Sequence, residues 1–97
     1  ARPLRIQFEG AIYHVMAHGG EKTDIYRTDA DRRHFVKVLS EALERYEVRL
    51  FSYVLMDTHY HLAVQTLHAN LNRFMHYLNT AYTVWMNKRN RRRGHLF

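Results

Sequence analysis

The sequence predicts an α+β fold with element order βαββα. This is most of a ferredoxin-like βαββαβ unit, an antiparallel sheet with helices packed on one face and the closing strand missing from the chain. Three observations predict it. Two long stretches repeat apolar residues at helical offsets. Three shorter stretches are rich in strand formers. Two of those three are separated only by Asp57-Thr58, which marks an antiparallel hairpin between the helices. At 97 residues the chain has the length of one domain, spanning 1–97.

The first strand is Ala11-Ile12-Tyr13-His14-Val15-Met16-Ala17-His18, closed by Gly19-Gly20. On a pleat of period two, Ile12, His14, Met16 and His18 share a face. Residues Gly19 to Arg27 read as a connection. Thr28, with Asp31 three residues on, resembles a capping box. The helix behind it repeats Phe35, Val38, Leu39, Ala42, Leu43 and Tyr46. Val48 to Met56 forms the second strand, in which Phe51, Tyr53 and Leu55 are expected to share a core face. His59-Tyr60-His61-Leu62-Ala63-Val64-Gln65-Thr66 forms the third, with Tyr60, Leu62 and Val64 turned toward the helices. Asn70 is the expected N-cap of a second helix running from about Leu71 to Lys88. Its apolar stripe is Leu71, Phe74, Met75, Leu78, Ala81, Tyr82 and Trp85. One helical layer on one sheet face leaves the other face open, a common platform for nucleic acid.

Composition narrows the function. Apolar residues make up 46% and charged residues 25%, which is globular rather than disordered. The absence of cysteine excludes disulfide scaffolds, thiolate zinc sites and cysteine nucleophiles, and it fits a cytoplasmic setting. No apolar run approaches the roughly 20 residues of a membrane helix. Ala1-Arg2-Pro3-Leu4-Arg5 lacks the apolar core of a signal peptide.

Charge is uneven. Residues 1–50 hold nine bases and eight acids, whereas residues 51–97 hold six bases and one acid, Asp57. Five of those six bases fall in the basic segment 88–93, Lys88-Arg89-Asn90-Arg91-Arg92-Arg93. Such a run attracts phosphates by releasing counterions, or stands as a solvated tail. The candidate DNA contacts are Arg2, Arg5, Arg73, Lys88, Arg89, Arg91, Arg92 and Arg93, because guanidinium forks suit phosphates and guanine edges. Trp85 either stacks a base or packs in the core.

The third strand carries the chemistry. His59 and His61 are one residue apart on a strand, so their side chains leave the same face. Two imidazoles so placed can share a divalent ion, or they can stand as polar residues on an open sheet. His14 joins that face if the first strand lies beside the third. It then touches metal or DNA, or is simply hydrogen-bonded at the surface. Asp57 reads as a turn former.

Further blocks bear on the choice. Arg2-Pro3-Leu4-Arg5, Gly10-Ala11-Ile12-Tyr13-His14-Val15-Met16, Tyr53-Val54-Leu55-Met56, His59-Tyr60-His61-Leu62, Asn70-Leu71-Asn72-Arg73-Phe74-Met75 and Gly94-His95-Leu96-Phe97 occur in that order. Together they resemble the single-tyrosine HUH transposases, in the branch related to REP-associated tyrosine transposases. HUH denotes His-hydrophobic-His, and Tyr60 fills the middle position.

The resemblance implies an RRM-like sheet and Mg²⁺ or Mn²⁺ on His59 and His61. It implies single-stranded or hairpin DNA as substrate and a homodimer as the assembly. It further implies a tyrosine that attacks the scissile phosphate, leaving a 5′-phosphotyrosyl enzyme and a free 3′-hydroxyl before strand joining. The sequence departs from the pattern at one place. In the family the tyrosine helix follows the Gly-His-Leu-Phe block, and this chain stops at Phe97 inside it. The expectation is therefore a fragment whose nucleophile lies beyond Phe97, with Tyr13, Tyr53, Tyr77 and Tyr82 serving other roles. The alternative is a non-catalytic DNA-binding domain, a decayed or domesticated relative.

Overall fold

The computed structural model describes residues 7–20, 23–91 and 93–97. Its elements are β1 (Ile12–His18), α1 (Asp29–Tyr46), β2 (Val48–Leu55), β3 (His59–Thr66) and α2 (Leu71–Asn90). The order is the expected βαββα. The three strands form one antiparallel sheet in the order β1-β3-β2, so β3 is central. Its sequence explains that position. Tyr60, Leu62, Val64 and Thr66 are completely buried, while His59, His61, Ala63 and Gln65 alternate to the other face.

Both helices cover the buried face. From α1 come Phe35, Val38, Leu39 and Ala42, and from α2 come Leu71, Phe74, Leu78, Tyr82 and Met86. Spacings of three and four keep each set on one stripe. Each large side chain of that stripe contributes about 2–3 kcal/mol by leaving water. Helix α1 starts as predicted: Thr28 accepts from the Asp31 amide, and the Asp31 carboxylate accepts from the Thr28 amide.

Several expectations need correction. Residues 19–27 are more than a connection, because Ile25 and Tyr26 are core residues, 0% and 2% exposed. Tyr26 meets Phe35 edge-on, and the Ile25 carbonyl accepts from the Tyr82 hydroxyl. A lone pair of apolar residues has no period, so nothing in its spacing marks it as core.

Asn70 occupies the N-cap of α2 but makes no capping bond there. Its amide nitrogen donates instead to the Tyr46 carbonyl, tying the two helices together. Helix α2 also runs two residues further than expected, to Asn90, and closes on Arg91 in the left-handed region.

Phe51 and Tyr53 do not enter the core and are 57% and 46% exposed. Strand β2 is at the sheet edge, and its pairing with β3 slips by one residue between Leu50 and Ser52. Phe51 is the extra residue of that bulge. Trp85 is half-buried rather than enclosed.

The C-terminal segment returns to the domain. Gly94, at φ 88°, helps turn it. Leu96 is 1% exposed, and its carbonyl accepts from the Gly20 amide at 2.8 Å. Phe97 meets Tyr60 edge-on.

Candidate functional site

The open face of the sheet is built by register. Opposite β3, residue His18 pairs with His59, Met16 with His61, His14 with Ala63 and Ile12 with Gln65. From β2, Val54 pairs with His61, Ser52 with Ala63 and Arg49 with Gln65. The bulge at Phe51 keeps Ser52 and Val54 on this face and Tyr53 and Leu55 on the other. Ile12, Met16 and Val54 are 67%, 43% and 51% exposed, so no helix covers them.

Four imidazoles run in a line across β1 and β3. The ring centroids of His18 and His59 are 4.9 Å apart, those of His59 and His61 5.0 Å, and those of His61 and His14 5.2 Å. His59 and His61 stand nearly perpendicular, at 77°, whereas His61 and His14 stack at 11°. The Nδ1 atom of His61 is 3.2 Å from Nε2 of His14. The Nδ1 atom of His59 is 3.2 Å from the Thr58 hydroxyl. Loss of water around the ring, and then repulsion from His59, His14 and His18, push the His61 pKa below its ordinary value. Both effects favour the neutral ring, the form that offers a lone pair.

Two adjacent imidazoles are the kind of donor set an open site uses. Among the described residues no group of three or more His, Cys, Asp or Glu side chains is arranged to hold an ion. The histidine pair alone would fill only part of a divalent ion's shell, with its other positions left for water, substrate or further protein ligands.

The cationic candidates are not gathered at the histidines. Arg2, Arg5 and Arg92 lie outside the described residues. Arg73 is on the first turn of α2, near Gln7, His68 and Asn70. Lys88 and Arg89 lie in the last turn of the same helix, about 22 Å further along its axis. Arg89 is engaged within the protein: its Nε is 3.2 Å from Oδ1 of the buried Asp31, and its guanidinium lies 5.2 Å from the centre of the Trp85 ring. Lys88, Arg91 and Arg93 are exposed.

Arg49 went unnoticed in the sequence. It is exposed on the open face opposite Gln65. The signal was present: Arg49 is a cation between Val48 and Leu50, both on the helix side of the same strand.

None of the seven tyrosines is on the histidine face. Tyr13, Tyr53 and Tyr60 pair with Val64, Leu62 and Leu55 or Ala17 on the strand sites that alternate away from it. Tyr26 and Tyr82 are buried, and burial drives both phenol pKa values far upward. Tyr46 and Tyr77 pack edge-on against each other between the helices. Asp57 holds Arg32 at 2.6 Å at the start of the hairpin rather than facing the histidines.

An antiparallel βαββα sheet that presents His-hydrophobic-His on the open face of its central strand defines an HUH-type domain. Residues 7–97 match the family described as transposase, IS200-like, and the chain belongs to that family. No curated protein matches it. A transposase acts on DNA, which makes DNA the partner. No helix among the described residues is long and apolar enough to cross a membrane.

Proposed function

We propose that this chain carries the metal-binding part of a single-strand DNA nicking and joining site. One observation supports the reading above the others: His59 and His61 stand together, 5.0 Å apart, on a sheet face that no helix covers. Their imidazoles would hold Mg²⁺ or Mn²⁺. That ion, when bound, supplies Lewis-acid polarisation of a scissile phosphate. The protein's own part is to orient the two rings and to keep His61 neutral. The open face also offers bases an apolar floor of Ile12, Met16 and Val54.

The attacking tyrosine comes from outside this chain, because none of its own tyrosines shares the histidine face. Arg2, Arg5, Arg73, Lys88, Arg91, Arg92 and Arg93 bind the single-stranded or hairpin DNA backbone. Arg89 contributes there only if it leaves Asp31. The assembly is a cytoplasmic homodimer, in which a partner covers an exposed sheet edge.

A second reading, DNA binding without chemistry, draws on the placement of those same tyrosines. Mn²⁺ titration followed by calorimetry and electron paramagnetic resonance separates the two. Wild type is expected to bind one ion per chain, and His59→Ala/His61→Ala to lose that binding. Equal binding by both proteins overturns the assignment. DNA binding without any Mn²⁺ site supports the second reading.

A further inference from the structure

We propose that His14 and Thr58 are positioning residues that set the tautomers of His61 and His59, so that both Nε2 atoms carry free lone pairs on the open face. The inference rests on the metal reading above and adds to it how this chain prepares its two donors.

A neutral imidazole has one protonated and one unprotonated nitrogen, and a ring can bind a cation only through the unprotonated one. The choice is made by whatever the other nitrogen touches. In both motif rings that other nitrogen is Nδ1, and in both it has a partner at 3.2 Å: Nε2 of His14 for His61 and the Thr58 hydroxyl for His59. Each partner is able to accept. The hydroxyl oxygen has lone pairs, and His14 accepts at Nε2 when its own proton is on Nδ1. With Nδ1–H of His61 donating to His14, and Nδ1–H of His59 donating to Thr58, both Nε2 atoms are left as acceptors.

The fold brings these partners from different places. Thr58 is the turn residue immediately before His59, and its carbonyl is held by the Gly19 amide at 2.8 Å. His14 comes from the neighbouring strand, opposite Ala63, and reaches His61 along the diagonal of the ladder. The near-parallel stacking of His14 on His61 also fixes the tilt of that ring. His18 meets His59 ring to ring at a tilt of 34°. His14 is exposed, so its replacement removes an orienting group without opening the core.

Two readouts test the proposal. Long-range ¹H–¹⁵N correlation spectra of the metal-free protein report the tautomer of each ring directly. Both His59 and His61 are expected to be protonated at Nδ1 in wild type. His14→Ala is expected to return His61, and Thr58→Val to return His59, to the Nε2-protonated form that predominates in free imidazole side chains. Mn²⁺ affinity is expected to fall about tenfold in each variant, within the range usual for partners of ligand histidines. His14→Gln and Thr58→Ser restore an acceptor and are expected to recover most of the affinity.

A wild-type His61 protonated at Nε2 overturns the proposal. So does unchanged Mn²⁺ affinity in His14→Ala and Thr58→Val beside a wild type that binds. If wild type itself fails to bind Mn²⁺, matching the His59→Ala/His61→Ala protein, the metal reading falls and the proposal with it, and the tautomer spectra show which of the two failed first.

Discussion

Asp31 serves three partners with one carboxylate. Its Oδ2 accepts from the Arg27 and Thr28 amides at 2.8 and 3.1 Å, and its Oδ1 faces Arg89 across 3.2 Å. The residue is 1% exposed, so its charge has left water and depends on those donors. Asp31→Ala removes half of the capping box and leaves Arg89 unpaired, an expected loss of about 3 kcal/mol by urea unfolding. Asp31→Asn keeps an acceptor for the amides and is expected to lose less.

A few residues along α1, His34 stacks on Trp85 with ring centres 4.0 Å apart. Burial, and then Lys37, push its pKa below the ordinary value, while Glu41 and Asp31 pull the other way. The sign follows from proton binding: just below pH 6.5 the unfolded chain takes up a proton that the native ring resists. The His34 contribution to stability is therefore complete above pH 6.5 and declines as the pH falls toward the native pKa. Thermal melts between pH 8 and 5 are expected to show a shallower acid loss in His34→Gln than in wild type.

At the scale of elements, the two helices differ in how much their sequences disclose. Helix α1 announces its start, since Thr28 and Asp31 have capping spacing and capping chemistry. Thr28→Ala is expected to cost about 1 kcal/mol in a denaturant titration. Helix α2 relies on packing instead, because Asn70 spends its side chain on Tyr46. Leu78→Ala, at a completely buried position in the middle of α2, is expected to cost about 3 kcal/mol. Strand β3 was legible to the residue, because a strict alternation of histidine or small polar positions with large apolar ones admits one orientation. Strand β2 was legible only in outline. Its edge location and its extra residue are decided by pairing with β3, and no local pattern reports that. Ile25 and Tyr26 escaped for the same reason: they are buried by a tertiary path, not by a period.

Across the whole molecule, the histidine pair could be read from spacing, whereas the distribution of cations could not. Lys88, Arg91 and Arg93 project from the end of a helix in the covering layer, and Arg89 has turned inward to Asp31. Converting Lys88, Arg91 and Arg93 together to Ala is expected to lower the salt dependence of single-stranded DNA binding by about 2 in log–log slope, with little change in stability. Arg89→Ala is expected to do the reverse, lowering the melting temperature more than the slope.

The slip in pairing at Phe51 carries a consequence for how this chain can change its length. Upstream of it, even-numbered positions of β2 point to the interior, and downstream odd-numbered ones do. Deleting that one residue would place Ser52 directly after Leu50 and leave an unbroken alternation, with Tyr53 and Leu55 still on the helix side and Ser52 and Val54 still beside the imidazoles. A single residue can thus be lost at this point without moving any side chain across the sheet.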